Sequence, residues 1–281
     1  MIKFSLNNKF FYRYILFFII IFLSYRSNIF AQNTDSLPAN PAYKIFSLEE
    51  CKNIFTAYYR TGKISKDNID IFIFGIKSLT QSIDEIILQS KNERDIKKQN
   101  ELLILYLEHA EIIAIIYNYG LINNYNRTIK KIDKDVKRFL KLSSLDPIVY
   151  LKAADYLYTK LLLPEGNKLN IILTLPILYR KTLLFDNTNA EALVKLSCWY
   201  IFAANETTSN YNSQINSTEE FIEDLNEIDK FNAYIWYSIY YMKIYNTKKS
   251  IEYLHKAEQI FPDHIFVHIL YSNYKKGILS L

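Results

Sequence analysis

The apolar residues of this chain recur every three or four positions over most of its length beyond residue 44. One stripe runs from Ile71 to Ile87, a second from Leu103 to Tyr117 and a third from Ile129 to Leu140. This period places the apolar side chains of each segment on one face of an α-helix. The pattern therefore predicts consecutive amphipathic helices, and it defines an N-terminal helical region at residues 44–142.

Composition supports a helical fold. The chain has 5 glycines and 6 prolines among 281 residues. Short strands joined by tight turns need more of both residues, so the composition argues against a β-sandwich or a β-barrel. Half of the residues are hydrophobic, which is enough for a substantial core. We therefore expect an all-α protein.

The first 31 residues have the pattern of a secretory signal peptide. Basic residues without any acidic residue precede an unbroken apolar run from Ile15 to Leu23, and Ala31 is a small residue at a suitable cleavage position. The alternative is an uncleaved anchor, which the polar residues before Ile15 disfavour. No cysteine at the end of the run offers a site for a lipid. We expect an exported protein, periplasmic or extracellular, that is soluble and has no membrane span after cleavage.

Removing the signal changes the charge balance. Four of the 34 Lys and Arg residues and none of the 29 acidic residues lie in residues 1–31, which leaves 30 basic residues against 29 acidic ones. A net charge of +1 argues against a general binder of nucleic acid or of acidic membranes. A polar, proline-bearing linker at residues 32–43 then leads into the helices.

The second half of the chain repeats a pattern of large and small residues. Small residues let two helices of a hairpin approach, large ones fill the space around them, and Pro262 ends the second helix. A weaker copy of the pattern begins after Pro147. The positions that define the two clearer copies are Leu193, Leu196, Ser197 and Tyr200, and then Tyr234, Tyr237, Ser238, Tyr241, Ser250, Leu254, Ala257 and Pro262.

This pattern resembles the tetratricopeptide repeat (TPR) over roughly residues 147–276. The resemblance implies antiparallel helical hairpins that stack as a TPR-like α-solenoid. We expect this solenoid to occupy residues 147–281, including a closing helix, with the N-terminal helical bundle packed on it.

The repeats depart from the pattern in two places. Pro176 predicts a kink or a break of its helix at Thr174–Pro176. Residues 205–216 are far too many for a normal repeat turn and predict a long loop, whose role the sequence does not define. After this loop, Ser217 and Glu220 predict a capping box for the next helix.

The function that the resemblance implies is binding. TPR-like proteins bind polypeptides in a groove lined by the first helix of each repeat, so we expect a non-enzymatic extracytoplasmic interaction scaffold with a protein or peptide partner. The alternative is a periplasmic accessory component of a TRAP-type solute transporter, or a binder of an apolar small ligand. Whether the groove is open or filled by the N-terminal helices stays undecided. The groove candidates are Lys152, Tyr156, Lys160, Val194, Cys198, Phe202, Ile235, Ile239 and Lys243.

Patterns that carry chemistry are scarce. The chain has no glycine-rich phosphate loop, no His-Glu-x-x-His and no Gly-x-Ser-x-Gly, so we expect neither catalysis nor a cofactor. His264 and His268 can share a helix face, but only Asp263 offers a third ligand, and we expect no metal. Cys51 and Cys198 either form a disulfide in an oxidising compartment or fill separate core positions.

Overall fold

The protein is all-α, as the sequence predicts, over the residues that the computed structural model describes: 66–118, 126–142, 144–161, 168–203 and 211–275. This part of the chain contains no strand, and none of its helices has the combination of length and apolarity needed to cross a bilayer. Its α-helices are α1 (Lys66–Asn92), α2 (Ile96–Asn118), α3 (Asn126–Phe139), α4 (Pro147–Leu161), α5 (Lys168–Phe185), α6 (Ala190–Ala203), α7 (Asn212–Ser217), α8 (Glu227–Lys243), α9 (Thr247–Ile260) and α10 (Ile265–Lys275). A 3-10 helix, Glu219–Asp224, lies between α7 and α8.

Several predictions fall on residues outside the described ranges. These are the signal segment with its cleavage position at Ala31, the linker at 32–43, Cys51, and residues 205–210 of the long loop. They stay predictions.

The α8–α9 hairpin is held by two serines that face each other. Ser238 Oγ donates to the carbonyl oxygen of Ser250 at 2.9 Å, and Ser250 Oγ donates to the carbonyl oxygen of Ser238 at 2.6 Å. Both side chains are fully buried. Because a serine adds only one heavy atom beyond Cβ, the two backbones approach closely while every buried hydroxyl keeps a hydrogen-bond partner.

The turn between α8 and α9 is short and closed by backbone hydrogen bonds. Tyr245 has a φ of 60°, the N–H of Asn246 donates to the Tyr241 carbonyl at 2.8 Å, and the N–H of Tyr245 donates to the Met242 carbonyl at 3.1 Å. These are the two bonds of a Schellman motif. The Asn246 side chain then accepts from the backbone N–H of Lys249 and caps α9. Helix α9 ends at Ile260, two residues before Pro262, as the sequence predicts.

Helix α5 passes through Pro176 without a break, so the predicted interruption at Thr174–Pro176 is wrong in that respect. A proline in a helix leaves the carbonyl four residues earlier without its usual N–H donor, and here that carbonyl belongs to Ile172. The indole Nε1 of Trp199, on α6, donates to it at 3.1 Å. The bond that α5 lacks internally is thus supplied by the neighbouring helix.

The long loop predicted at residues 205–216 is also partly wrong, because its second half forms α7. The Ser217 side chain donates to the carbonyl of Gln214 within α7, and no side-chain cap bond opens the 3-10 helix, so the predicted capping box does not form. Instead Thr218 is buried and bonds Ser197 at 2.8 Å and Tyr237 at 2.5 Å. Helix α7 and the 3-10 helix therefore pack into the space between α6 and α8.

The remaining helices supply neighbours to this arrangement. Helix α1 packs on α2, and α2 packs on α4. Within this region the hydroxyl of Tyr106 donates to Asp135 at 3.1 Å, and its ring meets Phe139 edge-on at 5.1 Å. The first helices of the predicted repeats are α4, α6 and α8. Their side chains contact one another, and the charged groups of the three helices meet at these contacts.

Candidate functional site

Lys195 is an ammonium group that connects three helices. Its Nζ lies 2.8 Å from Asp155 Oδ1 of α4, 2.5 Å from Glu191 Oε1 one turn earlier on α6, and 3.2 Å from Asp229 Oδ1 of α8. A single side chain thus fixes the spacing of α4, α6 and α8 on one side of the molecule.

A second lysine joins the same group. Lys152 Nζ lies 3.3 Å from both Asp155 Oδ2 and Glu191 Oε1. The side chains of these five residues are between 7% and 24% exposed, so they are largely surrounded by protein while solvent still reaches them. We call the set the charged stripe: Lys152, Asp155, Glu191, Lys195 and Asp229.

Glu111 of α2 extends this group of charges. Thr159 Oγ1 donates to Glu111 Oε1 at 3.4 Å. Burial raises the pKa of Glu111 to about 7, and the negative charge of Asp155 adds to that rise, while Lys195 and Lys152 oppose it. With Glu111 included, four carboxyl groups face two ammonium groups, and near neutral pH one of the four carries a proton part of the time.

The two lysines stay charged in this setting. Burial alone would lower the pKa of Lys195, but Asp155, Asp229 and Glu191 raise it well above its usual value. Burial alone would raise the pKa of Glu191, but Lys195 and Lys152 lower it to about 2. An amine held protonated cannot act as a nucleophile or as a base, so the stripe is suited to holding charge rather than to transferring protons.

An aromatic end borders the charged stripe. The rings of Phe202 on α6 and Trp236 on α8 meet edge-on with centroids 5.9 Å apart. Tyr158 of α4 is 41% exposed, and burial of its hydroxyl raises its pKa while a hydrogen bond with Trp236 opposes the rise. We call Tyr158, Phe202 and Trp236 the aromatic end.

Cys198 lies one turn beyond Lys195 on α6, and its thiol is free. Burial raises the pKa of this thiol, with a smaller contribution from Asp229, so it stays protonated at neutral pH. A thiol in that state is a poor nucleophile and packs as a small apolar group.

The structure divides the groove candidates into two sets. Lys152, Cys198, Phe202 and Lys243 keep partial exposure and lie on or beside the surface just described. The other candidates are in the interior, where they pack between helices: Tyr156, Lys160, Val194, Ile235 and Ile239.

Tyr156 and Lys160 are covered by a helix from the N-terminal region. Lys160 Nζ contacts the two carboxylate oxygens of Asp133, on α3, at 2.5 and 2.6 Å, and the Tyr156 hydroxyl donates to the same carboxylate at 2.8 Å. At this end of α4 the first helix of the predicted repeat therefore faces α3 and not an open groove.

Lys243, at the end of α8, donates from Nζ to the carbonyl oxygen of Ile201 at 2.7 Å. Burial lowers its pKa to about 8. The hydrogen bond from its ammonium group connects the end of α8 to α6, next to the aromatic end.

The two histidines that could share a helix face, His264 and His268, differ in burial. His264 is buried with its ring 4.5 Å from that of Phe231, and its Nδ1 accepts from the backbone N–H of Phe266 at 3.2 Å. Burial lowers the pKa of His264 to about 4, with His268 contributing. His268 is exposed. Across the described ranges no three His, Cys, Asp or Glu side chains are grouped so that they can hold a metal ion.

The groove candidates named from the sequence do not include five residues of the site: Asp155, Tyr158, Lys195, Asp229 and Trp236. Two spacings pointed to them, because Lys152 and Asp155 are three apart and Glu191 and Lys195 are four apart, as ion pairs on one helix face are. Trp236 differs from the expected Ile235 by one position. On a helix that shift turns a side chain by about 100° and moves it from the interior to the accessible face.

Comparison with protein-family models, with curated proteins and with solved structures finds no match for the chain. The likeness to TPR proteins therefore continues to depend on the residue pattern alone.

Proposed function

We propose that this protein is a non-enzymatic, extracytoplasmic interaction scaffold that binds a protein or peptide across the charged stripe and the aromatic end. The proposal joins two lines of support, one from the residue pattern and one from the geometry. The residue pattern favours export and TPR-like repeats. The geometry supplies a surface with the chemistry of a binding site.

The observation that carries the proposal is the continuity of this surface over three helices. Lys195 links α4, α6 and α8 through ion pairs, and Phe202 with Trp236 continues the surface across α6 and α8. Aromatic side chains next to partly exposed charges are typical of protein-binding surfaces, since aromatic rings supply contact area and charges set orientation. A preformed surface also loses little conformational entropy on binding.

The same groups disfavour catalysis. The Cys198 thiol has a raised pKa and Lys195 is held protonated, so within the described residues neither is an activated nucleophile. Glu111 has a pKa near neutrality, but it is surrounded by charges that form ion pairs with one another. We interpret its perturbed pKa as a result of the buried network.

The experiment is chemical cross-linking of the protein in intact cells, followed by purification and mass spectrometry of the cross-linked species. We expect a defined protein partner whose cross-links map to α6 and α8. Trp236→Ala should reduce its recovery by about tenfold, since aromatic anchors dominate interface energies. Tyr245→Ala, an exposed aromatic outside this surface, is the matched control and should leave recovery unchanged.

Two outcomes contradict the proposal. A small apolar molecule retained in native mass spectrometry, with no cross-linked protein, supports the ligand-binding alternative instead. An unchanged yield of the partner with Trp236→Ala places the binding surface elsewhere. The export part has its own test: sequencing of the released protein should begin at Gln32, and a chain that begins at Met1 contradicts cleavage.

A further inference from the structure

The outward face of α5 is an apolar ridge. Leu169, Leu173, Ile177 and Leu184 fall on one line along the helix at spacings of four, four and seven residues. They are 47% to 80% exposed, and Phe185 beside Leu184 is 67% exposed. Leu169, Leu173 and Ile177 are one turn apart, and Leu184 with Phe185 continues the line two turns further on, beyond Arg180. This grouping differs from the single exposed apolar residues that are ordinary on protein surfaces.

The opposite face of α5 is apolar too. Leu175 and Leu178 are buried against the neighbouring helices, as are Ile171, Ile172 and Tyr179. Helix α5 packs on α4 and on α6. The exposed apolar line therefore lies on the side of α5 away from its buried face, with Asn170, Thr174 and Lys181 on the strip between them. An apolar line of this kind on the outward side of a packed helix has the composition of an interface.

The charges on α5 have one sign. The helix carries Lys168, Arg180 and Lys181 and no Asp or Glu. Arg180 donates to the hydroxyl of Tyr200 at 2.7 Å, and Lys181 Nζ lies 5.0 Å from the centroid of the Tyr150 ring. The Tyr200 hydroxyl and the Tyr150 ring are uncharged, so both basic side chains keep their positive charge in these contacts. The apolar ridge is therefore flanked by fixed positive charge.

We propose that this face of α5 is a docking surface for an amphipathic helix of a partner protein, with aliphatic residues on the side that meets the ridge and Asp or Glu residues flanking them. The aliphatic side chains of the partner helix fill the grooves beside the ridge of α5, which is the usual way in which two helices pack. The acidic residues pair with Arg180, Lys181 and Lys168, which sets the orientation of the partner helix.

The charges on α5 favour an acidic partner helix over a second copy of this chain. Two α5 helices packed against each other bring three positive charges on one against three on the other, with no acidic residue on either helix to compensate. Shape selects it over a membrane surface. An interfacial helix buries a broad apolar face in lipid, but α5 already uses half of its circumference against α4 and α6 and presents a single ridge.

This surface is separate from the one in the proposed function. The charged stripe and the aromatic end lie on α4, α6 and α8, and the ridge lies on α5. Loss of binding at one is therefore measurable while the other is intact.

The test uses the protein purified from the cells that make it and two fluorescent helical peptides of equal length. Both peptides carry the same leucine ridge, one with flanking Glu and the other with flanking Lys. We expect the Glu-flanked peptide to bind, and the Lys-flanked peptide to bind at least about tenfold more weakly in fluorescence anisotropy. Raising the salt concentration should narrow the difference, because exposed charges are screened.

Variants at exposed positions keep the test independent of folding. Leu173→Gln together with Ile177→Gln should weaken the Glu-flanked peptide about tenfold or more. Leu88→Gln, which changes a leucine of similar exposure on α1, is the matched control and should change nothing. Arg180→Glu should weaken the Glu-flanked peptide and strengthen the Lys-flanked one, a reversal that no loss of stability produces.

Several results overturn the inference. These are equal binding of the two peptides, no binding of the Glu-flanked peptide, and binding that the Leu173 and Ile177 substitutions leave unchanged. A concentration-dependent dimer that these substitutions dissolve assigns the ridge to a second copy. Binding to vesicles of anionic phospholipid, lost in the same variant while the peptides do not bind, assigns it to a membrane.

Discussion

The α8–α9 and α4–α5 hairpins use similar residues in opposite ways. In α8–α9 the apolar side chains and the small residues are buried between the two helices, and Ser238 and Ser250 exchange hydrogen bonds at their contact. In α4–α5 the outward face of the second helix is apolar, and the first helix carries charges into the ion network. The first hairpin thus buries its apolar residues inside the protein, whereas the second leaves several of them on the surface.

A buried titratable group marks the same difference. The C-terminal hairpin packs against His264, a base kept neutral by burial. The charged stripe lies beside Glu111, an acid whose proton burial retains. The stability of the two regions should therefore respond to pH with opposite signs.

The largest expected difference is between two leucines. Leu254→Ala in α9 removes a fully buried side chain and should lower the free energy of unfolding by about 3 to 4 kcal/mol. Leu173→Ala in α5 removes a side chain that is 57% exposed and should change it by less than about 0.5 kcal/mol. Urea denaturation followed by circular dichroism measures both. Equal losses would show that the α5 ridge is covered in the folded protein.

His264 should make the protein less stable in acid. Its folded-state pKa of about 4 lies below the ordinary 6.5, so the unfolded chain binds the proton first as the pH falls. Stability is then lost progressively from about pH 6.5 to pH 4, by up to about 3 kcal/mol. Denaturation of the wild type and of His264→Gln at several pH values checks this.

The expected signature is a change in the pH dependence itself. His264→Gln should flatten the loss of stability between pH 4 and 6.5. Parallel curves for the wild type and the variant would contradict a buried neutral His264.

Glu111 should act in the opposite direction. Its folded-state pKa of about 7 lies above the ordinary 4.5, so the folded protein holds a proton that the unfolded chain has released. Stability from this group is present below about pH 4.5 and falls as the pH rises to 7. Glu111→Gln should remove that dependence and be more stable than the wild type at pH 8 by about 1 to 2 kcal/mol.

The readout for Glu111 is the difference between the two unfolding free energies at pH 5 and at pH 8. Glu108→Gln, a carboxylate one turn away on the same helix, serves as the control. A Glu111→Gln variant that is less stable than the wild type at pH 8 would mean that the ionised carboxylate is favourably paired with the lysines.

The smallest effect concerns the bond between Trp199 and Ile172. Trp199→Phe should cost about 1 kcal/mol, because the carbonyl next to Pro176 then lacks a donor. In a Pro176→Ala background the helix supplies its own N–H, and the same substitution should cost less. A double-mutant cycle measures the coupling, and additivity within error would contradict the assignment.

Sequence periodicity predicted the all-α fold because a helix repeats every 3.6 residues, and a stripe such as Leu103 to Tyr117 leaves little ambiguity. It also identified the small residues Ser238, Ser250 and Ala257, whose burial follows from their position in the repeated pattern. The helix through Pro176 was not predictable, because its continuity depends on a donor from another helix.

The site was only partly predictable for a related reason. Lys152 was named, but its partner Glu191 lies on α6, in a different hairpin. The spacing of residues along one helix does not predict a distance between two hairpins. The accessible side of α8 was assigned to Ile235 in place of Trp236, since both faces of that helix are rich in large residues. The exposed ridge on α5 gave no signal either, because apolar residues on both faces look like a buried helix.

The contact between Trp199 and the carbonyl beside Pro176 has a consequence for how this sequence can change over time. A relative that has replaced Pro176 by a residue with a backbone N–H no longer needs an indole donor at position 199, whereas one that keeps the proline does. The two positions, 23 residues apart, should therefore be substituted together across a lineage. Leu173, three residues before the proline, and Ile177, directly after it, are free of this constraint. Their substitutions should instead vary with the partner helix proposed for the ridge.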